Sequence, residues 1–356
     1  MALPSNARSQ RFTAAASRCL VVGDILPPVR LPDVDGKDFG LQCDEIAGNT
    51  LLLIFCDPQT AAGAAILTEC TAKTTELSAQ GARLFAIVRG SPAGKARGLS
   101  FPILCDVEGR TFSLFGIGEP AAGPTIVVVR PNGHVMAVIE KAGAAGLASA
   151  TRTIAAEAEN RQGRQMARHP PVLIVPDVLS RQDCQQLLTV YTLQGNVWVE
   201  PGHGTQNMTS DYKMRIPDYG RRDRVDHWVI NAETTRFIAE RLSTRLFPEI
   251  EKAFQYKITR FERFRIGCYE GERGGEAHGH RDNSAPMVAH RRFACSINLN
   301  TEEFEGGEIR FPEFGGHLYR PETGAAIVFS SSLLHEPLHV TAGRRYVLLA
   351  FLSGES

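Results

Sequence analysis

The sequence predicts two successive domains in a chain of 356 residues. The first is an α/β sandwich, and the second is a mainly β, double-stranded jelly roll with flanking helices. Three observations lead there. The first half alternates short, continuous apolar runs with helical stretches, the pattern of a sheet buried on both faces. A polar segment, Asn160-Arg-Gln-Gly-Arg-Gln-Met-Ala-Arg-His-Pro-Pro171, then interrupts the pattern with linker composition. Beyond Lys257 the chain turns to short strands separated by glycine-rich turns. The expected divisions are a flexible tail over 1–19, the α/β domain over 20–159, a linker over 160–171 and the second domain over 172–356.

Within the first domain, Leu51-Leu-Leu-Ile-Phe55 reads as a fully buried strand and Ala62 to Leu77 as the helix that follows. Ala82 to Val88 is the next strand. Thr125 to Val129 and His134 to Ile139 flank Arg130-Pro-Asn-Gly133, whose Asn-Gly suits a tight hairpin turn. An alanine-rich helix from Ala144 to Glu159 closes the unit. In the second domain Val172 to Val175 is a strand, and Ser180-Arg-Gln-Asp183 reads as a capping box opening a helix through Val190. A further helix is expected from Ala232 to Leu246, with Phe237, Ile238, Leu242 and Leu246 on one face and Pro248 as its stop.

Composition limits the function classes. Basic and acidic residues balance at 39 each, so no overall field attracts nucleic acid or an anionic membrane. With 43% apolar residues the chain can bury proper cores, and no apolar run approaches the length of a membrane span. The eight cysteines, at 19, 43, 56, 70, 105, 184, 268 and 295, lack metal or disulfide spacing and sit mostly in apolar stretches. A reducing, cytoplasmic compartment is the expectation. The first twenty-three residues, arginine-bearing and free of acids, have the composition of a frayed tail or, as an alternative, of an organelle transit peptide.

One constellation carries chemistry. In His280-Arg281-Asp282 the first and third residues would point the same way on a strand and could reach one ion. His335 must then arrive from another strand. Two imidazoles and one carboxylate on one side of an octahedral Fe(II) leave positions for co-substrate and oxygen. Arg345 opens the apolar run Tyr346 to Leu352, where a planar guanidinium could grip a carboxylate through two hydrogen bonds. A dicarboxylic keto acid such as 2-oxoglutarate is therefore a sensible co-substrate. His278 is a rival ligand, since His278-Gly-His280 has the same spacing, but only His280 stands two residues before a carboxylate.

Residues from about 170 to 353 resemble an Fe(II)/2-oxoglutarate dioxygenase of the prolyl-4-hydroxylase type. The resemblance lies in Tyr269 with the glycine-rich stretch Gly271 to Gly279, in His280-Arg-Asp282-Asn283, and in His290-Arg-Arg-Phe-Ala294 with Ser296-Ile-Asn-Leu-Asn300. It continues through Phe304-Glu-Gly-Gly-Glu-Ile-Arg-Phe311, Gly324 to Phe329, His335 and Val340-Thr-Ala-Gly343-Arg-Arg345-Tyr346. It implies iron on His280, Asp282 and His335, the far carboxylate of 2-oxoglutarate on Arg345, and a further co-substrate contact from Tyr269. It also implies hydroxylation with release of succinate and CO2, and L-ascorbate as a rescue for oxidised iron. Tyr269 departs from the pattern by lying eleven residues before His280.

Residues from roughly 20 to 159 resemble the thioredoxin-like fold, and its peroxiredoxin branch. The likeness lies in Gly23-Asp-Ile-Leu-Pro27, Leu31-Pro-Asp-Val-Asp-Gly36, Phe101-Pro-Ile-Leu-Cys-Asp106 and Gly123-Pro-Thr125. Pro124 stands where that fold places a cis-proline. The reactive cysteine of a Pro-x-x-x-Thr-x-x-Cys segment is missing: counted from Pro58, Ala62 and Ala65 occupy the threonine and cysteine positions. The resemblance thus implies a scaffold, dimerisation or substrate-presenting role.

The fold class expected is therefore an α/β thioredoxin-like domain followed by the jelly roll, and the activity that of a dioxygenase. A thiol-dependent peroxidase or thioredoxin-like redox protein using Cys56 or Cys70 is the alternative. The partners expected are a small-molecule or peptidyl substrate, with neither nucleic acid nor membrane, and an oligomer formed through the first domain. Lys213-Met-Arg215 with Arg221-Arg-Asp-Arg224 could form a basic rim recruiting an acidic substrate, or a solvated loop paired with its own aspartates. His290-Arg291-Arg292 could face substrate or be a strand-end cluster. His317 and His339 read as surface residues.

Overall fold

The computed structural model describes residues 19–43, 46–90, 99–118, 123–160, 168–193, 197–199, 224–271 and 279–354. The chain divides into two compact units, one over 10–165 and one from 166 onward.

In the first unit the strand Thr50–Cys56 is buried at all seven positions. Its alternation explains why. Leu52, Ile54 and Cys56 pack with Ile66, Leu67, Cys70, Leu147 and Ile154 of the helices Ala61–Ala79 and Ala144–Asn160. Leu51, Leu53 and Phe55 enter a second cluster with Phe85, Phe112 and Phe115 on the other face. Parallel pairing to Ala82–Arg89 and on to Ile103–Asp106 extends one side of the sheet. Antiparallel pairing to Thr125–Val129 and then Val135–Ile139 extends the other. Gly133, at φ +93°, closes the hairpin by donating its N–H to the Arg130 carbonyl at 2.9 Å. No peptide bond among the described residues is cis, so the bond preceding Pro124 is trans.

The second unit is built on strands that pair antiparallel. The main sheet runs Val172–Val175, Ala326–Ser330, Phe293–Asn298, Val340–Ser353, Arg265–Glu270, Arg224–Trp228 and Val197–Val199. A smaller sheet comprises Leu318–Tyr319, Ile309–Arg310 and Glu336–Pro337. The helices Arg181–Leu193, Ala232–Arg245 and Phe247–Phe254 cover one face of the main sheet, where Cys295, Ile297, Leu348, Ala350 and Leu352 meet Leu187, Ile238, Leu242 and Ile250. The alternate residues face inward, and Ala294, Ile327, Phe329 and Phe351 form a second cluster with Ile309, Phe311 and Tyr319 of the smaller-sheet side. The jelly-roll expectation is met by this two-sheet arrangement.

Ser180 caps the first of these helices as expected: its hydroxyl accepts the Asp183 N–H at 3.0 Å, and Asp183 returns the favour to the Ser180 N–H at 3.0 Å. The role of Pro248 differs from expectation. The helix stops at Arg245, and Pro248 lies in the first turn of a new helix, Phe247–Phe254. A residue that lacks an N–H fits a first turn without loss, because that N–H has no intrahelical partner there.

Candidate metal centre and carboxylate clamp

The three expected metal ligands come together. His280 and His335 form an isolated antiparallel bridge: the His280 N–H donates to the His335 carbonyl at 2.9 Å, and His335 donates back at 3.1 Å. Paired residues on such a bridge present their side chains to the same side, and the two ring centroids lie 4.3 Å apart. Asp282 lies two residues on, with its N–H on the Ser331 carbonyl at 2.9 Å. Its Oδ1 is 3.5 Å from His280 Nε2 and its Oδ2 is 3.5 Å from His335 Nε2. One donor atom from each of the three falls within 4.8 Å of the others.

The donor chemistry fits a metal. His335 Nδ1 lies 3.2 Å from the Leu333 carbonyl. A carbonyl oxygen only accepts, so Nδ1 carries the proton and Nε2 offers its lone pair toward Asp282. Burial pushes the His335 imidazole below its ordinary value of 6.5, which keeps it neutral. Burial pushes the Asp282 carboxyl up, but the neighbouring His280, His335 and Arg291 side chains outweigh it, and the net shift is downward. The three ligands differ in exposure. The His280 side chain is 53% exposed, against 6% for His335 and 11% for Asp282. Two imidazoles, that of His335 neutral, and an ionised carboxylate suit Fe(II) and related divalent ions.

Arg345 lies on the long strand Val340–Ser353 and is buried between the sheets. Its Nε donates to Asn298 Oδ1 at 3.0 Å and its Nη2 to Ser296 Oγ at 3.4 Å. Asn298 is itself held, since its amide nitrogen donates to the Pro321 carbonyl at 2.9 Å. Tyr269 is the cross-strand partner of Arg345, and the guanidinium carbon sits 5.2 Å from the tyrosine ring centroid. Gly307, at φ +68°, makes room for this arginine, because a Cβ there would come within 3.0 Å of Arg345 Cδ. The Gly-Gly of the 304–311 stretch thus has a local steric reason.

The sequence assigns no role to Ser296, Asn298 or Glu262 individually, and none near the metal to Arg291. The available signal for the first two was a pair of polar residues two apart in the otherwise apolar strand Phe293–Asn298, with both side chains on the inner face. Arg291 was weighed only as part of a basic cluster, yet it is almost fully buried. His317 and His339 are exposed. The rival ligand His278 and the basic residues 213, 215, 221 and 222 lie outside the described residues. Asp226 is buried and pairs with Arg265 on the neighbouring strand, at 3.6 Å.

In the first unit the thiols of Cys56 and Cys70 are held protonated. Burial, with contributions from Cys70 and Asp57, pushes Cys56 up to about 12. Burial and Glu69 push Cys70 up to about 12 as well.

Residues 22–138 match the model of the AhpC/TSA family. No match was found among curated protein sequences. Among solved structures, the chain is similar to the viral collagen prolyl hydroxylase vCPH of Paramecium Bursaria Chlorella virus-1, solved as its 2OG complex. The identity is 16%, covering 52% of this chain and 96% of that one, with a TM-score of 0.37. It is similar to an oxidoreductase of the 2OG-Fe(II) oxygenase family from Burkholderia pseudomallei, at 18% identity, 51% and 84% coverage and a TM-score of 0.38. It is also similar to Xanthomonas campestris Peroxiredoxin Q, at 20% identity, 36% and 92% coverage and a TM-score of 0.32. Among the described residues no helix is long and apolar enough to cross a membrane. The chain carries an AhpC/TSA-type, thioredoxin-like domain over residues 22–138, followed by a mainly antiparallel two-sheet unit.

Proposed function

We propose that the second unit is an Fe(II)- and 2-oxoglutarate-dependent dioxygenase that hydroxylates a small-molecule or peptidyl substrate. The observation that carries this reading is the convergence of His280, Asp282 and His335 on one point, with the His335 tautomer set for ligation. A ferrous ion held there would supply oxygen activation coupled to oxidative decarboxylation of 2-oxoglutarate, yielding succinate and CO2. The protein's own contribution is positional. Arg345, oriented by Asn298 and Ser296, binds the far carboxylate of the co-substrate in a buried setting where a charged contact is strong. Tyr269 lines the same clamp. Phe311, Phe329 and Phe351 form an apolar wall on the inner faces of the sheets, and Phe329 touches the His335 ring at a centroid distance of 4.7 Å. That wall covers the His335 side of the site, with His280 left open to solvent, and suits a substrate carrying unactivated C–H bonds. L-ascorbate would serve as the reductant that restores the ferrous state. The first unit, whose Cys56 and Cys70 thiols are buried and protonated, serves as a scaffold or docking module rather than as a peroxidase.

The test is anaerobic reconstitution of the full chain with Fe(II) and 2-oxoglutarate, followed by exposure to oxygen and quantification of succinate. Metal-dependent succinate, lost in Asp282→Ala, is expected. Peroxide consumption that vanishes in Cys56→Ser or Cys70→Ser, without metal-dependent succinate, would overturn the reading.

A further inference from the structure

We propose that Arg291 is a positioning residue of the metal centre, holding the main chain of Asp282 in place through a guanidinium that is itself fixed on three sides. The inference rests on the metal reading above and concerns what makes that site rigid.

Asp282 sits where regular pairing ends. Among the described residues the ladder contact near it is the bridge between His280 and His335, and the segment that follows runs through a turn and the short 3-10 helix Pro286–Val288 before the strand Phe293–Asn298 begins. A ligand on such a segment would wander unless something else held it. Both of its main-chain polar groups are in fact taken. The N–H donates to the Ser331 carbonyl at 2.9 Å, and the carbonyl accepts from Arg291 Nη1 at 3.1 Å. With its peptide groups pinned on either side, the carboxylate can rotate only about its own side-chain bonds.

The arginine is equally constrained. Nε and Nη2 form a two-pronged contact with Glu262, each at 2.6 Å, and the guanidinium carbon lies over the Phe351 ring, 3.6 Å from its centroid. Arg291 is 4% exposed. Phe351 is in turn flanked by a second guanidinium, that of Arg265 at 5.1 Å, which also lies 4.9 Å from the Trp228 ring and 3.6 Å from Asp226. The result is a column of Trp228, Arg265, Phe351 and Arg291, buried from Arg265 onward, with Asp226 and Glu262 as counter-ions and the Asp282 carbonyl at its end. Only an arginine meets all three demands on position 291. A lysine has no planar fork for Glu262, no flat face for Phe351 and a single nitrogen to share with the Asp282 carbonyl.

The partners of Arg291 come from residues 262, 282 and 351, which belong to separate elements. A merely structural arginine would stabilise the fold without affecting the ligands. A positioning arginine also affects the affinity of the site for an ion, and second-sphere groups of this kind are worth roughly 10- to 100-fold in metal affinity.

The experiment is calorimetric titration of the metal-free full chain with Co(II) alone, alongside a thermal melt. It compares the native sequence with Arg291→Lys, Glu262→Gln and the control Leu242→Ala, which loosens the helix-covered face far from the ligands. Co(II) binding weakened about 10- to 100-fold in Arg291→Lys and Glu262→Gln, at one ion per chain, is the expected result. Leu242→Ala should melt earlier yet bind Co(II) as the native chain does. Glu262→Gln keeps the shape of its site, so it carries the test should Arg291→Lys fail to fold. Native-like Co(II) affinity in the folded variants would overturn the role of Arg291 and leave the metal reading intact. A native chain that takes up no Co(II) would overturn both.

Discussion

Replacing Arg345 by methionine removes the charge while roughly keeping the volume, and its consequence can be worked from the site. In the native protein the Arg345 guanidinium is buried and held by Asn298 and Ser296, and under the proposed function it takes the co-substrate's far carboxylate. Hydrogen bonds to charged groups contribute about 1.5–3 kcal/mol each, so a two-pronged contact is worth at least about 3 kcal/mol. At about 1.4 kcal/mol per tenfold, the 2-oxoglutarate concentration for half-maximal succinate formation should rise roughly 150-fold. The variant also leaves Asn298 Oδ1 without the Arg345 donor in a buried place, at a stability cost of about 1–3 kcal/mol. A thermal melt must therefore establish the temperature at which the variant remains folded. The assay is succinate formation against 2-oxoglutarate concentration at saturating Fe(II), with Co(II) affinity measured in parallel. Half-saturation unchanged in a folded variant that still binds Co(II) would refute the assignment of Arg345.

Three further outcomes are expected. Asp282→Ala should abolish Co(II) uptake and succinate formation while the melt stays cooperative, because a ligand is lost and no core residue is; metal binding at native affinity would contradict it. Gly307→Ala should raise the 2-oxoglutarate requirement roughly tenfold, since its Cβ would press on Arg345 Cδ and its φ of +68° is strained for alanine by about 1–2 kcal/mol, yet leave Co(II) affinity alone. The metal-free protein should lose stability as pH falls below 6.5: burial holds the folded His335 below that value, so the unfolded chain binds the extra proton first. Melts across this range, compared with His335→Gln, should show a shallower decline in the variant, and identical slopes would refute the linkage.

The parts of the site that were legible in the sequence are those that spacing alone can encode. His280 and Asp282 stand two apart and do come together, although His280 lies on an isolated bridge and Asp282 in a turn rather than both on one strand, and Arg345 opens an apolar run that belongs to a long inner strand. The pairing of Tyr269 with Arg345 was beyond reach, because register depends on which residues of two distant strands meet. Arg291 was harder still. Its letters read as one of three adjacent basic residues, and only the fold shows that Glu262 and Phe351 converge on it. Pro248 was misjudged for a different reason: the same missing N–H ends one helix and suits the first turn of another. In the first unit, the buried strand was plain from Leu51 to Phe55, whereas the protonated state of Cys56 follows from packing that no local pattern records.

The two halves of the site hang from the fold in different ways. Arg345 belongs to a strand whose continuation is paired on both edges, Val347 meeting Gly267 on one side and Asn298 on the other, and the Asn300 side chain binds the Arg344 carbonyl and the Tyr346 N–H beside it. Its amide should exchange with solvent only when the whole unit opens. The segment bearing Asp282 is held instead by side chains, Arg281 on Glu313, Asn283 on Ser332 and Arg291 on the Asp282 carbonyl, and the His280 ring faces water. An ion would therefore come and go past the exposed His280 ring, with the Asp282 segment staying in place and the strand of Arg345 opening only with the whole unit.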